Sequence, residues 1–137
     1  MTTTEPRASR DTRPANAGAA RDQVRDLLHT TGRAPPPREV MDDILLVVSE
    51  LVTNAYRHGG GLTGFTSDLS DDALIVCVTD ASPVIPRTRT DSHPTSPGGF
   101  GWPLISKLSR QITITPFGSG KTIRVVLSTT DRAMPSS

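Results

Sequence analysis

The sequence predicts an α+β fold in which a mostly antiparallel sheet is covered on one face by helices. Two observations carry this. Apolar residues recur at helical spacing in 17–28 and 38–58, whereas the segments after residue 62 are short, alternating or continuously apolar, and bounded by turn residues. The elements run in the order helix, helix, two strands, loop, short helix, two strands, with hairpin-length links inside each strand pair.

Residues 1–14 are polar and rich in Thr, Arg and Pro, and read as a mobile tail or at most a short edge strand. In 17–28, Ala20, Val24, Leu27 and Leu28 fall on one helical face, and Gly32 with Pro35-Pro36-Pro37 ends that helix. The second helix spans 38–58, with Ile44, Val47, Val48, Leu51, Val52 and Ala55 as its core stripe and Gly59-Gly60-Gly61 as its stop. Residues 63–69 form a candidate strand. Residues 74–79 form one that is apolar on both faces and therefore central. The stretch 80–97 carries Pro83, Pro86, Pro94 and Pro97 without periodicity, the mark of a functional or disordered loop. A short helix at 102–108 follows, then strands at 111–115 and 122–128 joined by a Gly-rich turn. The domain proper is expected over 15–129, with a polar tail at 130–137.

With 137 residues the chain makes one domain at most, and a net charge of +1 gives no case for nucleic acid or membrane as the main partner. Cys77 is the single cysteine, so no intramolecular disulfide can form, and its apolar surroundings suggest a small buried hydrophobe. No apolar run approaches bilayer length and no signal-like segment opens the chain, which points to a cytoplasmic protein.

The most informative segment is Ser49 to Gly59. Glu50, Asn54 and His58 are spaced four residues apart. Four helical residues turn about 400°, so the three side chains stack along one slowly drifting face. A carboxylate can take a proton and a carboxamide oxygen can ligate a hard cation. Taken alone, this is more often a solvated helix face. Asp80, at the end of the central strand, can accept a hydrogen bond from an exocyclic amine, although a strand-end turn role is the commoner one for an aspartate. Gly98-Gly99-Phe100-Gly101 opens the short helix, and glycines there let backbone amides approach phosphate.

In this order and spacing the chain resembles the GHKL ATPase superfamily with its two-layer Bergerat nucleotide-binding sandwich, the histidine-kinase-like ATPase fold. The resembling branch is the anti-sigma factor serine-protein kinases. Glu50 to His58 looks like the N box, Asp80-Ala81-Ser82-Pro83 like the G1 box, Gly98 to Ile105 like the G2 box, and Gly120-Lys121-Thr122 like the terminal Gly-x-Thr. The resemblance covers 17–128, and its specificity lies in the ordered set rather than in any one box. It implies ATP and Mg²⁺ as cofactors, with Asn54 as the magnesium ligand and Glu50 as the general base. Asp80 would bind the adenine amino group, supported by Thr122, and Gly98, Gly99 and Gly101 would form a phosphate lid. Arg57 and His58 would line the phosphate end, or His58 would simply interact with the helix dipole. The implied partners are a sigma factor and an antagonist protein phosphorylated on serine; relatives are often homodimers.

Three departures temper this. Phe100 and Trp102 are bulky lid residues. Pro103 removes an amide from the first turn of its helix, and Ser82-Pro83 stands where many relatives carry glycine. They make room for an alternative, a non-catalytic protein-binding module with weak or vestigial nucleotide binding. A sensor histidine kinase fragment is disfavoured, because no helix bearing a phospho-accepting histidine precedes Glu50. Gly118-Ser119-Gly120-Lys121-Thr122 ends like a P-loop, but position 115 is Thr115 and a strand follows, so it reads as a hairpin.

Overall fold

The computed structural model describes residues 8–30, 34–85 and 101–130. The expected ends of both tails, the loop beyond residue 85, and Gly98, Gly99 and Phe100 lie outside the described residues. Among the described residues five strands form one sheet in the order β1-β2-β3-β5-β4, every neighbouring pair antiparallel. They are β1 (Ala8–Thr12), β2 (Leu62–Leu69), β3 (Ala73–Asp80), β4 (Gln111–Phe117) and β5 (Gly120–Ser128). The helices among the described residues are α1 (Ala17–His29), α2 (Arg38–His58) and α3 (Gly101–Leu108).

Residues 8–12, read as tail or edge strand, form β1 and pair with β2 from Ala8↔Leu69 to Thr12↔Phe65. This strand adds to the sheet ahead of the expected domain start at residue 15. The segment Ala-Ser-Arg-Asp-Thr has no apolar alternation to announce a strand. Its place comes from backbone pairing along an open edge, which sequence periodicity does not report.

Helix α1 starts at Asn16, whose Oδ1 accepts the Ala19 N–H at 2.8 Å. It stops at Thr30, before Gly32, with the Thr30 N–H donating to the Asp26 and Leu27 carbonyls. Helix α2 has Glu39 in its first turn and Arg57 and His58 in its last, charges that complement the macrodipole. Its expected core stripe is buried throughout, from Ile44 to Ala55. The stop falls at Gly59 in an ordinary conformation, and the left-handed turn follows at Gly60 (φ 71°). The Gly61 N–H then returns to the Ala55 carbonyl at 3.0 Å.

Phe65 and Leu69 of β2, Leu74, Val76 and Val78 of β3, and Ile123, Val125 and Leu127 of β5 meet the helices in one buried cluster. Ile112 and Ile114 of β4 pack at its margin. Helix α3 lies on α2 and inserts Ile105 into the core, with Trp102 partly buried against it. No helix among the described residues is long and apolar enough to cross a membrane.

The other sheet face bears Thr66 and Asp68, Ile75, Cys77 and Thr79, Thr122 and Arg124, and Thr113 and Thr115, as the strand registers require. Cys77 is accordingly half-buried on this side and outside the core cluster, a correction to its expected place. Partial burial pushes its thiol pKa up, against a weaker opposing hydrogen bond with Thr66. A raised pKa leaves less thiolate at a given pH. Cys77 should therefore react with a maleimide more slowly than free cysteine at pH 8, and the deficit should shrink as pH rises; equal rates at both pH values would contradict this.

Candidate functional site

The site is built where the C-terminal end of α2 meets the C-terminal end of β3. The Gly59–Gly61 turn folds back onto β3, and the Ala81 N–H donates to the carbonyls of Gly59 at 2.8 Å and Gly61 at 3.2 Å. Gly59 lies so close to Asp80 that a Cβ there would sit 2.5 Å from Oδ2. On the opposite side, a Cβ at Gly120 would sit 1.8 Å from the Asp80 carbonyl oxygen. Two glycines thus let three segments close around one aspartate.

Glu50 and Asn54 stand on α2 and are half-buried. Among the described residues neither side chain takes a hydrogen bond or ion pair. Arg57 and His58, one turn further on, are exposed. Four-residue spacing on an unbroken helix brings Glu50, Asn54 and His58 to one side of it. The same helix then delivers its end to Asp80.

Asp80 is buried, at 4% exposure, and it is not free. Lys121 Nζ lies 3.0 Å from its Oδ2 and donates to its Oδ1 at 3.1 Å and to the Ser82 carbonyl at 2.9 Å. Oδ1 also accepts the Ser82 N–H at 3.0 Å. The lysine is equally buried, at 4% exposure. Two hydrogen bonds and the close Oδ2 give the buried ammonium the polar surroundings it requires. It also offsets a carboxylate placed against the negative end of α2.

Thr122, expected beside Asp80, is on the other face of the sheet. In the β3–β5 register Asp80 pairs with Lys121 and Thr79 with Thr122, and the two threonine hydroxyls are hydrogen-bonded at 2.9 Å. Adjacent strand residues point to opposite faces, so Lys121 and Thr122 cannot both reach the aspartate. Lys121 is the residue that sequence reasoning missed. Its signal was the alternation Lys121, Ile123, Val125, Leu127, which puts the lysine on the apolar side of its strand.

Gly101 opens α3. Trp102, weighed as core anchor or partner surface, is partly buried against the core. Among the described residues no group of three or more His, Cys, Asp or Glu side chains could hold a metal ion. Magnesium bound with nucleotide needs little from a protein beyond one or two oxygens, its other ligands being phosphate and water. The half-buried, unengaged Asn54 amide fits that demand. For the adenine base the fit is incomplete, since the acceptor expected to read it is already paired.

The family model of histidine kinase-like ATPase domains matches residues 11–127. Among solved structures, the crystal structure of the RsbU and RsbW domains of a Mycobacterium tuberculosis protein is similar, with a TM-score of 0.63 at 20% identity. The similarity covers 95% of this chain and 35% of that one, so the chain spans about a third of its length. At that identity the likeness speaks for the fold. No curated protein matches the chain.

Proposed function

Because the chain belongs to the histidine kinase-like ATPase domain family, we propose that it is an ATP- and magnesium-binding regulatory protein of the anti-sigma kinase type. It would bind a sigma factor and phosphorylate a serine on an antagonist protein. The observation that carries this is the pairing of Glu50 and Asn54, half-buried and unengaged among the described residues, on the helix whose end packs against Asp80. The RsbW domain in the similar structure supports the anti-sigma theme at the level of fold.

In-line phosphoryl transfer needs positioning, charge neutralisation and a group that orients the nucleophile. Asn54 would offer its amide oxygen to magnesium, which neutralises phosphate charge when bound. Glu50 would accept a hydrogen bond from the partner's serine hydroxyl and draw off its proton. Arg57 and His58, exposed at the same end of α2, are placed to meet phosphate, and Gly98, Gly99 and Gly101 would close over it.

A second reading, the non-catalytic protein-binding module, is favoured by one specific observation: Lys121 occupies Asp80. Calorimetric titration with ATP and ADP, with and without magnesium, separates the two. Asn54→Ala should weaken magnesium-dependent ATP binding by about tenfold or more, the loss of roughly 1.4 kcal/mol. Glu50→Ala should spare binding and abolish transfer to a serine substrate. Absence of binding to the native protein at millimolar nucleotide would rule out the kinase and leave the module.

A further inference from the structure

We propose that Lys121 is a specificity-determining residue which closes the base end of the nucleotide site, so that binding does not discriminate adenine. The proposal rests on the nucleotide-binding reading above and concerns what part of the nucleotide that site can recognise.

Adenine is told from guanine at position 6, where it carries an amine in place of a carbonyl, and that amine must donate to an acceptor with a free lone pair and an open approach. Asp80 has neither. Oδ1 already accepts from the Ser82 N–H and from Lys121 Nζ. Oδ2 has Lys121 Nζ at 3.0 Å on one side and Gly59 packed against it on the other. The Lys121 ammonium is itself held by the Ser82 carbonyl, so it cannot swing aside without giving up that bond as well. A base edge reaching Asp80 would have to break a buried ion pair and leave a cation buried without its counter-charge, which is strongly disfavoured. Guanine would present its O6 acceptor to an ammonium already held by the Asp80 carboxylate and the Ser82 carbonyl. The affinity of the site then comes from the triphosphate and its metal, through groups other than Asp80.

The strand alternation isolates this effect in one residue. Thr122 is bonded to Thr79 on the far face and cannot replace Lys121 as a partner of Asp80. A threonine at position 121 would face Asp80 with one short hydroxyl in place of a long ammonium, uncovering carboxylate lone pairs for an amine.

The test compares magnesium complexes of ATP, GTP and inorganic triphosphate by calorimetry, first on the native protein and then on Lys121→Thr, with a thermal melt to show that the variant folds. The expected result is that the native protein binds ATP and GTP within about threefold of one another, while Lys121→Thr prefers ATP by about tenfold or more. Binding of ATP by the variant alone also supports the proposal. A native preference for ATP of about tenfold overturns it and leaves the nucleotide-binding reading standing. A folded Lys121→Thr that gains no preference for ATP overturns it too. If neither protein binds any of the three, both the reading and the proposal fall. Should Lys121→Thr fail to fold, the native ATP-to-GTP ratio decides alone.

Discussion

Asp80→Ala is expected to lower the free energy of unfolding by about 3–5 kcal/mol, the cost of leaving a buried charge without its partner. The magnitude follows from the environment. Asp80 and Lys121 are both almost fully buried, and the lysine would keep only the Ser82 carbonyl. Urea denaturation reads the change as a lower midpoint at an unchanged slope. Replacing both partners, Asp80→Ala with Lys121→Met, removes the orphaned charge and should recover more than half of the loss. A single mutant within about 1 kcal/mol of the native protein would show that water screens the pair, as at exposed ion pairs. This has a practical bearing on the family test. Loss of nucleotide binding in an Asp80 variant cannot be read as loss of a base contact until folding has been measured.

Gly120→Ala is expected to be equally damaging for a different reason. Its Cβ would lie 1.8 Å from the Asp80 carbonyl oxygen and 2.9 Å from the carbonyl carbon, and both are backbone atoms that cannot rotate away. Relief requires β5 to move from β3 at the Asp80↔Lys121 pair, the position that aligns the ion pair. A loss of at least about 3 kcal/mol is expected, the upper end of what overpacking usually costs. Gly118→Ala is the internal control. Gly118 has φ 61° but nothing within 4 Å of a Cβ, so only conformational strain of about 1 kcal/mol applies. If both variants melt alike, the close approach at Gly120 is not what limits stability.

Much of this architecture could be read from the sequence, and the reasons differ by element. Helix α2 was legible to the residue because a long apolar stripe, a proline run before it and three glycines after it all agree. The central place of β3 was legible from its unbroken apolar run, although its second face is half-buried rather than enclosed. Strand β1 was not legible, since its residues show no apolar alternation and its place in the sheet is set by main-chain pairing with β2. At the candidate site, the placing of Glu50 and Asn54 on one side of α2 was legible from their spacing, and that of Asp80 from the end of its strand. Lys121 was passed over because Gly118 to Thr122 resembled a turn and drew attention to Thr122. A single-residue error of register on a strand exchanges the two faces of the sheet. Here it exchanged a threonine on the open face for a lysine in the core.

The position of β1 also constrains how the chain folds. Its partners on β2 follow it only after two complete helices, so Ala8↔Leu69 and Thr12↔Phe65 are among the most distant pairings in the molecule. Local contacts within α1 and α2, and the β2–β3 and β4–β5 hairpins, close short loops and form cheaply in entropy. Pairing of the first strand with β2 closes a far longer loop, so it is expected to form after them. Although β1 precedes the other described elements in the chain, it is expected to dock late, onto strands that have already paired.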